Sequence, residues 1–135
     1  GGQPIAAFRK AGFEGGFYPV NPKYPQIAGY RCYPDVASID GPCDLAIIAL
    51  PAPLVAGAIR ECGRAGIPFA LVLTAGFREA GEVGRAREAE LARAARESGV
   101  RVVGPNCQGL ICVQQRLFAV FGSVSHETDL RAGSV

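Results

Sequence analysis

Short apolar runs alternate with segments of helical periodicity, and this alternation constrains the fold more than any other feature. The apolar runs cover residues 45–50, 69–73 and 100–103. Strand-sized runs without polar alternation are typical of strands covered on both faces of a parallel sheet. Helical stripes follow the first two runs, over residues 54–62 and 85–97. This order predicts β-α-β units and an α/β fold with a mainly parallel sheet.

The N-terminal region predicts one more helix and one more strand. Residues 3–10 place apolar side chains at helical spacing, and residues 17–20 form a short strand-like run. Two prolines within residues 21–25 exclude a helix there and predict a rigid loop. A doubly wound sheet normally begins with a strand and a glycine-rich turn. We therefore expect a three-layer Rossmann-like domain whose first strand is missing, with Gly1 and Gly2 as the last residues of that turn.

Composition excludes several classes of function. The net charge of +2, without a cluster of Lys or Arg, argues against a nucleic-acid-binding protein. No apolar run approaches the length of about 20 residues that a membrane span needs, and no signal peptide is recognisable. Five cysteines without a CxxC pair, and a single histidine, argue against a disulfide scaffold or a zinc site. We expect a reduced, cytoplasmic protein without a metal.

Two regions are expected along the chain. Residues 1–122 are predicted to form the Rossmann-like domain, incomplete at its N-terminus. Residues 123–135 are polar and are predicted to be a linker towards a further domain that the chain lacks.

The candidate site follows from the predicted topology. Ligands of an open parallel sheet bind beyond the carboxyl ends of the strands. The segments at those ends are residues 21–23, 51–53, 74–77 and 104–107, and most of them are rich in Gly, Pro and small residues. Such residues allow backbone N–H groups to approach a ligand closely. The sequence therefore favours nucleotide binding.

Four motifs carry a resemblance to a known family. They are YPVNPKY at 18–24, DLAIIALPA at 44–52, TAGFRE at 74–79 and GPNCQG at 104–109. In this order and spacing they resemble the CoA-binding domain of the NDP-forming acyl-CoA synthetases, which are related to the α subunit of succinyl-CoA synthetase. The resemblance spans nearly the whole chain.

The resemblance implies that nine loop residues bind coenzyme A: Pro22, Lys23, Pro51, Ala52, Leu73, Thr74, Ala75, Asn106 and Cys107. The lysine is expected near the phosphates, where a point charge suits a mobile polyanion. The residues at 51–52 are expected to border the adenosine, and those at 73–75 to offer backbone contacts. The last two are expected towards the pantetheine end.

The resemblance also implies an activity for the larger protein. Members convert acyl-CoA, phosphate and NDP reversibly into acid, CoA and NTP, through a phosphohistidine in the next subdomain. ATP or ADP and Mg²⁺ would bind only to the absent domains of the same or a partner chain. We therefore expect no catalytic residue here and an isolated chain without activity.

Two other functions remain open. One is the CoA-binding region of a protein lysine acetyltransferase, which is built on a similar domain. The other is a stand-alone CoA- or dinucleotide-binding module without catalysis. An NAD site would predict an acidic residue after the second strand, whereas Lys23 stands there. That difference favours CoA.

Several polar residues also have simpler interpretations. Lys23 could be an ordinary solvated lysine. Cys107 has no histidine near it in sequence and is interpreted as a packed loop residue, not a nucleophile. His126 lies outside the position of the family's phosphohistidine. The charged helix at 85–97 is interpreted as a solvated face, with Ala86 inward and Arg87 towards water. Aspartates near turns are interpreted as caps or turn residues: Asp35, Asp40 and Asp44.

Overall fold

A computed structural model describes residues 5, 8, 10 and 12–120 of the chain. The chain divides into two compact units, which are described separately below. We call Pro34–Cys107 the sheet unit, and Gly1–Tyr33 with Gln108–Val135 the hairpin unit. Gly1, Gly2, His126 and the expected linker at 123–135 lie outside the described residues.

The strands and longer helices with defined bounds, in chain order, are β1 (Gln26–Ile27), β2 (Tyr30–Arg31), β3 (Leu45–Ile48), α1 (Ala52–Arg64), β4 (Phe69–Val72), α2 (Gly81–Ser98), β5 (Arg101–Val103), β6 (Gly109–Cys112) and β7 (Leu117–Val120). Short 3₁₀ helices lie at Val36–Ser38 and Arg78–Ala80. Asp35 caps the first of them, since its carboxylate accepts a hydrogen bond from the Ser38 N–H at 2.8 Å.

The sheet unit is built around three parallel strands in the order β3-β4-β5. Leu45 pairs with Phe69 in one ladder, and Phe69 pairs with Arg101 in the other. The central strand β4 is the most protected, because Ala70, Leu71 and Val72 are each 0% exposed. This arrangement confirms the predicted α/β class and the Rossmann-like parallel sheet.

The helices α1 and α2 are the crossovers of two successive β-α-β units and pack against each other. Such crossovers are right-handed, so both helices cover the same face of the sheet. Val55, Ile59 and Cys62 are buried on α1, as the helical stripe predicts. Burial raises the pKa of the Cys62 thiol to about 11. Leu54, which the stripe also placed inward, is exposed because it lies about 100° around the helix from Val55, on which the buried face is centred.

The charged face of α2 also holds the two helices together. Arg60 of α1 lies 2.7 Å from Glu90 and 3.3 Å from Glu97. Glu90 also pairs with Arg93, as its spacing predicts. Hydrogen bonds from Arg60 and then Arg93 lower the pKa of the Glu90 carboxyl. The solvated face predicted for α2 is therefore also an inter-helix contact.

The hairpin unit contains two antiparallel pairs, β1 with β2 and β6 with β7. Apolar residues build most of the second pair, in which Leu110 faces Ala119 and Ile111 faces Phe118. The strand predicted at residues 17–20 is wrong, since Val20 alone makes an isolated bridge, to Tyr33. Phe17 instead packs edge to face on Phe8 and Phe13, with ring centroids 4.9 and 5.4 Å away. Ile5, Phe8 and Lys10 are helical, in agreement with the helix predicted there.

Two kinds of feature are not found in the part of the chain that the structure describes. None of its helices combines the length and the apolar character needed to cross a membrane. Its His, Cys, Asp and Glu side chains form no group of three that could hold a metal ion.

The first turns of α2 pack closely against the loop at Phe77, and this packing requires a glycine at position 84. Gly84 is buried, and a Cβ built on it would collide with the carbonyl group of Phe77. Ala86, which the sequence pattern placed inward, is exposed, because α2 turns Gly84, Leu91 and Ala94 to its buried side. The helix and the Phe77 loop approach so closely that only glycine fits.

A matched pair of substitutions tests this close approach. Gly84→Ala should lower the free energy of unfolding by about 2 kcal/mol or more, because the helix must move away from the loop. Gly57→Ala, in the exposed interior of α1, should raise it by about 0.5–1 kcal/mol, since no described atom lies within 4 Å of the added Cβ. Urea unfolding measures both. Equal stability of the two variants would contradict the close packing.

Candidate functional site

Three of the four predicted loops meet at the carboxyl edge of the parallel sheet. Thr74 joins them, because its Oγ1 donates to the carbonyl of Leu50 at 2.7 Å. Its own carbonyl accepts from the backbone N–H of Asn106 at 3.0 Å. The segments after β3, β4 and β5 are therefore one hydrogen-bonded cluster, which we call the loop edge (residues 50–53, 73–77 and 104–107).

Glu79 shapes the central loop of this edge. Its carboxylate accepts hydrogen bonds from the N–H groups of Gly76 at 2.6 Å and Phe77 at 3.2 Å. These bonds, with the one from Gly76 first, lower the pKa of the Glu79 carboxyl. Phe77 is almost completely buried and anchors the loop. The glutamate of the TAGFRE motif therefore organises the loop, a role that the sequence analysis missed.

Arg87 holds the same loop from its other side. Its Nη1 donates to the carbonyl of Gly76 at 3.2 Å, and its side chain is partly buried. The expectation that Arg87 faces water is therefore wrong. Its partner stands eleven residues earlier in the chain, so helical spacing alone gives no signal for the contact.

Ala75 keeps its backbone groups available. Its neighbours use theirs within the protein: Leu73 donates its N–H to the Ile48 carbonyl at 3.1 Å, and Gly76 is bonded on both sides. Ala75 is exposed and makes no hydrogen bond with any residue the structure describes. An unused N–H or C=O in an ordered loop can bond a ligand without first losing an internal partner.

Pro51 and Ala52 lie at the N-terminus of α1. The helix begins at Ala52, two residues before the predicted stripe, with Pro51 at the N-cap. No side chain caps this end, and its first turn contains no acidic residue. The helix dipole and the N–H of Ala52 therefore favour an anion at the loop edge, although Pro53 has no N–H and the Leu54 N–H is bonded to the Pro51 carbonyl at 2.9 Å. A Cβ on Gly76 would lie 3.2 Å from the Ala52 Cβ, so the loops around them are closely packed.

The GPNC segment crosses the end of β4. Gly104 has a φ of +106°, and a Cβ there would collide with the Val72 carbonyl oxygen. Asn106 has a left-handed φ of +53° and is exposed. The Cys107 Sγ lies 3.4 Å from the same Val72 carbonyl and 3.9 Å from that of Val103. The thiol is therefore turned towards the end of the sheet, consistent with a packed loop residue.

Pro22 and Lys23 belong to the hairpin unit. Both are exposed. The Lys23 N–H donates to the Asn21 Oδ1 at 2.9 Å, and the Asn21 N–H donates to the Tyr33 carbonyl at 2.9 Å. The lysine thus extends from an ordered turn. Its proximity to the loop edge remains a prediction, as do the ligand contacts of all nine residues.

Comparison with known proteins identifies the family. A family model described as a CoA binding domain matches residues 2–112. The chain belongs to the CoA-binding domain family. This confirms the resemblance that the four motifs carry.

Two curated relatives of this CoA-binding domain are ligases. The chain is 48% identical over 115 residues to acetate–CoA ligase (ADP-forming) I of Archaeoglobus fulgidus, covering 85% of the chain and 17% of the relative. It is 40% identical over 119 residues to the α subunit of acetate–CoA ligase (ADP-forming) II of Pyrococcus furiosus, covering 87% of the chain and 26% of the relative.

A solved structure agrees with this family. It is the dinucleotide-forming acetyl-coenzyme A synthetase 1 of Candidatus Korarchaeum cryptofilum, in complex with phosphate and ADP, with a TM-score of 0.83 and 41% identity. The match covers 89% of the CoA-binding domain and 25% of that chain. The domain thus spans about a quarter or less of these three relatives.

Acidification tests the role of Glu79. Its folded-state pKa is lowered, so its carboxylate stabilises the domain above the unfolded pKa of about 4.3, and this contribution is lost as the pH falls through the folded pKa. Glu79→Gln should unfold at lower urea concentration than the wild type at pH 7. The difference should shrink steadily below about pH 4.

Glu61→Gln is the control, because Glu61 is an exposed carboxylate of α1 without a hydrogen-bonded side-chain partner among the described residues. It should leave the urea midpoint unchanged at pH 7. A difference between wild type and Glu79→Gln that stays constant with pH would contradict the carboxylate's role.

Proposed function

We propose that this domain holds coenzyme A in an NDP-forming acid–CoA ligase. The larger protein converts acyl-CoA, phosphate and NDP reversibly into acid, CoA and NTP. The domain alone binds CoA and catalyses nothing. The observation that carries the proposal is the joining of three motif loops by Thr74 at one edge of the sheet.

The backbone of the loop edge supports binding of an extended nucleotide. Ala75 offers an unused N–H and C=O, and Ala52 at the start of α1 offers one more N–H beside it, since Pro53 has none and the Leu54 N–H is bonded to the Pro51 carbonyl. Neither needs to break an internal bond to receive a ligand. The backbone groups of Ala75 suit the adenosine and pantetheine parts, which are mostly uncharged.

The phosphates of CoA need positive charge, and Lys23 supplies it in this proposal. Its exposure and the ordered turn that carries it support this role.

Division of labour explains why such a domain serves a ligase. Binding energy from the nucleotide end of CoA can position the distant thiol for attack on an acyl phosphate. The phosphoryl steps, with ATP or ADP and Mg²⁺, belong to other parts of the larger protein. The relatives named above are ligases or synthetases, which favours this function over an acetyltransferase or a stand-alone binding module.

Calorimetric titration of the purified chain with CoA, dephospho-CoA and NADH tests the proposal. CoA should bind most tightly. Lys23→Ala should weaken CoA binding about tenfold, since a hydrogen bond to a charged group contributes about 1.5 kcal/mol or more.

Arg96→Ala is the matched control, because it removes one exposed positive charge from the C-terminal turn of α2, at the opposite edge of the sheet. It should change the affinity less than twofold. Preference for NADH, or equal effects of the two substitutions, would contradict the proposed site.

A further inference from the structure

Apart from the helix dipole at the start of α1, the loop edge has no positive charge of its own, although the proposed ligand is a polyanion. Residues 50–53, 73–77 and 104–107 include no Lys, Arg, Asp or Glu. Lys23 is a single cation on the other unit, whereas CoA carries a diphosphate and a 3′-phosphate. Sites for several phosphates generally use several cations or helix N-termini.

Arg87 is the cation attached to this edge. Its Nη1 donates to the Gly76 carbonyl, and a Cβ built on Gly76 would lie 3.8 Å from the same nitrogen. A guanidinium has five N–H donors in a planar fork. One donor therefore fixes the group against the loop, and the others remain for a second partner.

The neighbouring arginines form ion pairs with carboxylates, whereas Arg87 forms none with a described residue. Arg60 and Arg93 engage Glu90 and Glu97, while Arg78 pairs with Glu88 at 2.8 Å. Arg87 has no carboxylate partner among the described residues, although it is partly buried. A partly desolvated cation without an anion is unfavourable. A bound phosphate would supply the missing anion.

We infer that Arg87 is a direct phosphate ligand of CoA, held in place by the carbonyl of Gly76. This inference rests on the proposed function and adds a residue outside the four family motifs. Arg87 donates in a bidentate manner to phosphate oxygens.

The test is calorimetric titration of the chain with CoA at several salt concentrations. Arg87→Gln should weaken CoA binding tenfold or more and reduce the dependence of affinity on salt, because one charge–charge contact is lost. Arg87→Lys keeps the charge but loses the planar fork of donors, so its affinity for CoA should lie between those of the wild type and Arg87→Gln. This second variant also guards against the case in which Arg87→Gln binds weakly because it folds poorly.

Arg85→Gln is the matched control. Arg85 is an exposed arginine two residues earlier on α2, about 200° away around the helix. It should change the affinity less than twofold.

Three other results would each overturn the inference, and they can be distinguished from one another. Unchanged affinity in Arg87→Gln, with normal binding by the wild type, overturns the inference and leaves the proposed function standing. Weaker binding with the wild-type salt dependence means that Arg87 only positions the loop, which also overturns it. A wild-type chain that does not bind CoA overturns the proposed function and this inference together.

Discussion

The backbone pairing of β4 with β3 on one side and β5 on the other is the interaction on which the rest of the sheet unit depends. Parallel ladders bring the carboxyl ends of all three strands to one edge. The completely buried side chains of Ala70, Leu71 and Val72 hold β4 in the middle. Because successive side chains of a strand point to opposite faces, β4 is buried on both faces, and the register of its two ladders fixes where each loop begins.

The loop edge extends the same hydrogen bonding beyond the sheet. Leu73 continues the ladder to Ile48, and Thr74 then joins the loops on both sides. Glu79 and Arg87 hold the Gly76 peptide groups from opposite sides. An ordered loop with an unused N–H and C=O, at Ala75, gains ligand contacts at a small cost in conformational entropy. The stability of the sheet is thus linked directly to the shape of the site.

Sequence patterns predict the parallel core well because its signals are local. Continuous apolar runs identify β3, β4 and β5 to within one or two residues, and small residues identify the loops that follow. The predictions that fail depend on tertiary contacts, which local sequence patterns do not encode. The run at 17–20 has strand-like residues, but Phe17 packs in a ring cluster and Val20 makes a single bridge. Arg60 and Arg87 each bond to a partner that helix periodicity cannot reveal.

The candidate site, like the fold, is predicted only in part from the sequence. The motif resemblance predicts Thr74 as one of nine ligand contacts, and the structure shows that Thr74 joins the loops. The glutamate and the arginine that shape those loops become visible only through distances.

Backbone NMR of the ¹⁵N-labelled chain during titration with CoA tests the central claim most directly. The account predicts the largest amide shift changes at Thr74, Ala75, Asn106 and the first turn of α1. The opposite edge of the sheet carries a shallow depression lined by Arg60, Gly63, Arg64, Glu97 and Ser98. Shift changes concentrated there, with the loop edge unchanged, would contradict the account.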